Sequence, residues 1–144
     1  MKLVVATDGS PHAILAAAYA VRLAREIRKA EITIVNVGHI PTVALGGPGT
    51  GAMVNFGELE QALEQAGQAI LEQTKRQFES GNAPVAAVYR TGDPAAEIIK
   101  VAQETKADLI IIGSRGLGQI GGLILGSVSE RVLHAAPVPV LVVR

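Results

Sequence analysis

The chain contains no cysteine and no tryptophan, and only 3% of its residues are aromatic. Missing cysteines exclude disulfides, thiolate metal sites and thiol catalysis together. Scarce aromatics leave Val, Ile, Leu and Ala to build a core from a chain that is 49% hydrophobic. That filling suits a parallel sheet covered by helices. Neither charge sign is in excess, since 13 Lys plus Arg balance 13 Asp plus Glu. A zero balance argues against nucleic acid or an anionic membrane as partner, because both call for a basic surplus. No apolar run approaches the length of a membrane span. The opening Met1-Lys2-Leu3-Val4-Val5-Ala6-Thr7-Asp8 reaches an acidic residue too soon for a signal peptide, so a cytoplasmic location is expected.

What is present is ordered. The 144 residues fit a single domain, 1–144, with no linker, repeat or second unit. Nearly continuous β-branched runs at Leu3 to Ala6, Ile32 to Val37, Val85 to Tyr89, Leu109 to Ile112 and Val138 to Val143 predict strands buried on both faces. Helical periodicity fills the gaps. The first helix starts at the cap-and-proline pair Ser10-Pro11 and turns Ile14, Ala17, Ala18, Val21 and Ala24 inward. The second runs from about Glu58 to Phe78, with Leu59, Leu63, Ala66, Ile70 and Phe78 on its apolar side. The third starts at Asp93-Pro94 and carries Ile98, Ile99 and Ala102. The fourth starts at Ser127, which has the spacing of a capping box with Glu130. Strand and helix alternate throughout, the pattern of an open, doubly wound α/β sheet of five parallel strands. A ligand belongs at the carboxyl ends of its strands, where the winding reverses.

The chemistry concentrates after the fourth strand, in the loop Gly113 to Ser127. Gly113 and Gly116 allow sharp turns and close backbone approach to a ligand. Gly126-Ser127 opens a helix whose free N–H groups and dipole favour an anion. Arg115 adds a cation within reach of a phosphate. On physics alone two readings stand level: a phosphate cradle, or a long loop that needs glycines only to turn and pack.

The spacing of Gly113, Gly116 and Gly126-Ser127 resembles the ATP-binding signature of the universal stress protein family. The likeness extends over the whole chain, through Val4-Val5-Ala6-Thr7-Asp8-Gly9-Ser10, Ile34-Val35-Asn36-Val37, Thr91-Gly92-Asp93-Pro94 and Pro137-Val138-Pro139-Val140-Leu141-Val142-Val143. The resemblance implies a Rossmann-like sheet of the adenine-nucleotide α-hydrolase kind, ordered 3-2-1-4-5, with Asp8 facing the loop across a cleft. It implies that Asp8 lies near the ribose and phosphates or their metal, and that the Val37 backbone meets the adenine. Ala6 and Thr7 would line the same pocket, while Ile112, Gly113, Arg115, Gly116, Gly126, Ser127 and Val128 wrap the ribose and phosphates. ATP, with Mg2+, is the implied cofactor. Because the glycine signature is complete, the resemblance favours the nucleotide-binding branch of the family. It also implies a homodimer formed through Val138 to Val143, a strand whose Pro139 suits a sheet edge.

Other features carry less. Asp8 has a plainer reading as a helix-start carboxylate, and no second carboxylate or histidine has an evident place beside it for acid–base or two-metal chemistry. His12, His39 and His134 are scattered, as surface or helix-end residues are. Arg22, Arg25, Arg28 and Lys29 form a basic stripe that reads as a solvated helix end. The run Gly46 to Gly51 lacks the Lys-Ser/Thr of a Walker motif and reads as a flexible connection, with a lid over the nucleotide as the alternative. A nucleotide-dependent regulatory or stress role is therefore expected, the alternative being a slow ATPase or nucleotidyl-transfer enzyme.

Overall fold

The computed structural model describes residues 1–40, 55–79, 81–117 and 125–144. The Gly46 to Gly51 run lies outside the described residues. Strands β1 (Lys2–Ala6), β2 (Glu31–Gly38), β3 (Val85–Thr91), β4 (Leu109–Gly113) and β5 (Val140–Val143) alternate with helices α1 (Pro11–Glu26), α2 (Phe56–Arg76), α3 (Pro94–Glu104) and α4 (Ser127–Ala135). All strand pairs are parallel, in the order β3-β2-β1-β4-β5. Winding reverses beside β1, whose Ala6 lies opposite Val35 on one side and Ile112 on the other. That is where such a sheet opens a crevice.

Strand residues alternate between two cores because successive side chains point to opposite faces. Leu3, Val5, Ile32, Ile34 and Ile111 pack with the alanines of α1 and with Leu71 and Phe78 on one face. Val4, Ala6, Val35, Ile110 and Ile112 pack with Ile98 and Val101 of α3 and Val132 of α4 on the other. Central strands are thus buried on both sides, as their composition demands. At the β3 edge, however, Ala86 and Ala87 are exposed, because among the described residues only β2 pairs with that strand.

Helix phases differ from the sequence expectation in two places. On α1 the buried residues are Ala13, Ala16, Ala17 and Ala20, while Ile14 and Ala18 face outward. A face of alanines lets the helix lie close to the sheet, and that closeness outweighs burying the larger Ile14. On α2 the buried line runs through Gly67, Leu71 and Thr74, leaving Ala66 exposed. Gly67 is selected by Tyr89, whose ring occupies the space that a side chain at 67 would take. The last strand begins at Val140 rather than Val138; Pro139 contributes only its carbonyl, which accepts from Ile110 N at 3.0 Å. Among the described residues no helix is long and apolar enough to cross a membrane.

Candidate nucleotide site

The site begins where β1 ends. Thr7 is 6% exposed and extends the strand by one more bond, its N–H donating to Val35 O at 2.9 Å. Its carbonyl accepts from Asn36 Nδ2 at 2.8 Å, and its hydroxyl lies 3.3 Å from that of Thr74 on α2. A buried asparagine in an otherwise apolar strand has to find a partner. Here that partner holds the turn leading into Asp8.

Asp8 spans the gap between β1 and the loop after β4. Its Oδ1 accepts from Ser10 N at 3.0 Å, and its Oδ2 accepts from Leu117 N at 3.0 Å. Gly116 stacks so closely on Oδ2 that any side chain there would overlap the carboxylate. Ser10 makes a second tie: its hydroxyl accepts from Ala13 N as the α1 cap and donates to Arg115 O at 3.2 Å. Arg115, Gly116 and Leu117 are therefore pinned against the start of α1. The expected juxtaposition of Asp8 with the loop is present, and it consists of one hydrogen bond from the Leu117 amide to the Asp8 carboxylate.

The two outer glycines do different jobs. At Gly113 a Cβ would sit 2.6 Å from His12 C and 2.8 Å from Ala13 N, so this glycine lets β4 pass beneath the α1 backbone. This packing role is one that the sequence does not announce for Gly113. At Gly126 a Cβ would meet Arg115 Cα at 3.4 Å and Ser114 O at 3.5 Å, ordinary contact. Gly126, not Ser127, is the cap residue of α4, and among the described residues no side-chain cap hydrogen bond is made at that end. The expected Ser127–Glu130 capping box does not form, because Ser127 already lies inside the helix with its side chain exposed. Val128 is half-buried and packs against the core. Ile112 is buried opposite Ala6. Val37 lies one strand over from β1, two residues beyond the Ala6–Val35 pair, and is joined to the group by sheet register alone.

Sequence reasoning missed Asn36, Ser114 and Ser129. Each is a polar residue at a position that the surrounding pattern makes buried, and that mismatch is the signal by which they are found. The histidines are dispersed: His39 Nδ1 lies 3.1 Å from Gly92 O and His134 Nδ1 lies 2.8 Å from Glu130 O. His12 Nδ1 is buried with no partner among the described residues. Among those residues, no group of three or more His, Cys, Asp or Glu is placed to hold a metal.

Behind the site, Arg131 of α4 grips Asp93 with two bonds of 2.7 and 2.8 Å. Asp93 Oδ1 also caps α3 by accepting from Ala96 N at 2.9 Å. The Arg131 hydrogen bond, then the Ala96 amide, hold the Asp93 carboxyl below the usual carboxylate range. A depressed carboxyl contributes stability that is complete above the ordinary carboxylate pKa and is lost as pH falls through its folded value. Both partners are substantially exposed, so the effect is modest and screened by salt. We expect Asp93→Ser, which keeps a capping oxygen, to lower the melting temperature slightly in dilute buffer and less in high salt. An acid titration of both proteins should show their difference vanish once Asp93 is protonated in the folded chain.

The model of the universal stress protein family matches residues 1–144. The chain belongs to that family. Universal stress protein YxiE of Bacillus subtilis is 35% identical over 146 residues, covering 99% of this chain and 98% of its own. Among solved structures, protein MJ0577 of Methanocaldococcus jannaschii superposes with a TM-score of 0.84 at 27% identity, covering 99% of this chain and 94% of the other. A universal stress protein solved in complex with cAMP aligns over 100% of this chain and 97% of its own, with a TM-score of 0.71 and 28% identity. The fold expected of a universal stress protein, the five-stranded sheet in the order 3-2-1-4-5, is the one observed here.

Proposed function

We propose that this universal stress protein binds an adenine nucleotide, ATP carried with Mg2+, at the carboxyl ends of β1 and β4. Its occupancy then serves a regulatory or stress-response role in the cytoplasm. The observation that carries the reading is the tie between Asp8 and the Arg115–Leu117 backbone, set beside the uncapped start of α4 at Gly126. A helix N-terminus at a sheet's switch point, with a loop held close beside it, favours an anion. The relative solved with cAMP supports an adenine nucleotide as the occupant.

In this reading Ala6, Thr7 and the Val37 backbone form the adenine side. Ile112 and Gly113 shape the floor, Arg115 and Gly116 meet ribose and phosphate, and Ser127 and Val128 present backbone N–H groups to the phosphates beside Gly126, whose own N–H is held by Ser114 O. The residues present fit such a group, because Gly126 brings no side chain to the start of α4 and Gly116 lets the loop close onto Asp8. Mg2+ would neutralise phosphate charge, and it needs few protein ligands because it keeps water and phosphate oxygens. Asp8 is the carboxylate in position to face it.

Among the described residues the edge strand β5 pairs only with β4. Its open side supports a homodimer built through the Val138 to Val143 segment.

The test is to denature purified protein, identify any nucleotide released, and record melting curves with ATP, ADP and AMP, with and without Mg2+. Ligand at a hundred times its dissociation constant is expected to add about 2.7 kcal/mol of stability. No shift with any adenine nucleotide would remove the binding reading. Rapid magnesium-dependent turnover would replace the regulatory role with a hydrolytic one. Sedimentation of the same preparation as a monomer would remove the dimer.

A further inference from the structure

Behind the loop lies a buried hydroxyl that the nucleotide contacts do not use. Ser129, in the first turn of α4, is 3% exposed. Its Oγ lies 2.9 Å from Ser114 O and 3.0 Å from Gly126 O. Ser114 O, on a residue that is 1% exposed, also accepts from Gly126 N at 2.7 Å. Ser114 directly follows β4, and Gly126 directly precedes α4. The Ser129 hydroxyl therefore bridges the two ends of the loop from inside the protein.

The fold does not need this hydroxyl to satisfy its carbonyls. Ser114 O already has the Gly126 amide, and Gly126 O already has Glu130 N at 2.9 Å. Alanine would also favour the helix. What the hydroxyl adds is geometry. It fixes the carbonyl of the cap residue relative to the end of β4, and so sets the direction in which the first amides of α4 point. An anion gains from a helix N-terminus only when those amides converge on it.

We propose that Ser129 is a positioning residue for the phosphate-bearing part of the nucleotide. It acts through Gly126 and Ser114 and does not touch ligand. This inference rests on the nucleotide reading above. It makes a distinction which that reading alone does not: the Ser129 hydroxyl matters to the phosphates and not to the nucleoside.

The experiment is calorimetric titration of the wild-type chain, Ser129→Ala and Ser129→Thr with ATP, AMP and adenosine. Ser129→Ala is expected to weaken ATP and AMP about tenfold, the worth of roughly one buried hydrogen bond. Adenosine affinity should stay within about twofold, since no lost bond faces the nucleoside. Ser129→Thr, which restores a hydroxyl, should recover most of the phosphate affinity. Unchanged ATP affinity in Ser129→Ala, or equal losses for ATP and adenosine, would overturn the proposal. If Ser129→Ala does not fold, Ser129→Cys keeps the volume with a weak donor and carries the same comparison. A wild-type chain that binds none of the three ligands would overturn the nucleotide reading itself, an outcome visible before any variant is titrated.

Discussion

Gly126→Val is expected to weaken phosphate-dependent nucleotide binding severely while leaving a folded protein. The backbone at Gly126 has φ −77° and ψ 157°, a conformation open to any residue. The nearest atoms to an added Cβ stand at 3.4 to 3.5 Å, so the fold accepts it with little movement. Valine is a poor helix cap, and that alone costs roughly 1 kcal/mol. Its two methyl groups, however, crowd the approach to the first amides of α4. Losing one or two hydrogen bonds to a charged phosphate, worth about 1.5–3 kcal/mol each, predicts a fall in ATP affinity of about a hundredfold. Circular dichroism and calorimetry on one preparation test both halves. A native spectrum with wild-type affinity would place the phosphates elsewhere.

Gly113→Ala is expected to do the reverse. Here one methyl group meets the carbonyl carbon and oxygen of His12 and the amide of Ala13, all closer than 3.0 Å. These are backbone atoms inside a capped helix, so no flexible side chain can yield. The helix must lift from β4, opening the core that Ala16, Ala17 and Ile111 share. Overpacking of this kind costs roughly 1–3 kcal/mol, and the rigid neighbours put it near the upper end. For a chain of this size that predicts a melting temperature lower by about 10 °C. Residual nucleotide binding at low temperature should survive. A variant that melts with the wild type would show that α1 and β4 are not packed as described.

These two glycines belong to one sequence motif, yet the structure gives them different surroundings, the α1 backbone pressed on Gly113 and only ordinary contacts at Gly126. The motif announces where backbone must come close to something. It does not say whether that something is a ligand or another part of the chain. Alternation of apolar strands and capped helices made the α/β architecture legible, and Ser10-Pro11 and Asp93-Pro94 marked two helix starts correctly. Ser127 misled, because a serine three residues before a glutamate has capping-box spacing whether or not its backbone lies inside the helix. The inward face of α1 was also misjudged, since hydrophobicity ranks Ile14 above Ala13 and Ala16. Close packing against the sheet ranks them the other way.

By itself the sequence determined which segments are strands, that both faces of the central strands are covered, and that a glycine-rich turn joins β4 to α4. Each follows from local physics, either the period of the apolar residues or the backbone freedom of glycine. Only the tertiary structure decided what the turn is fastened to. Asp8 reaches Leu117 across 109 positions of chain, and Ser10 reaches Arg115 across 105. Such contacts depend on β1 and β4 lying side by side, an arrangement set by packing two helical layers on one sheet.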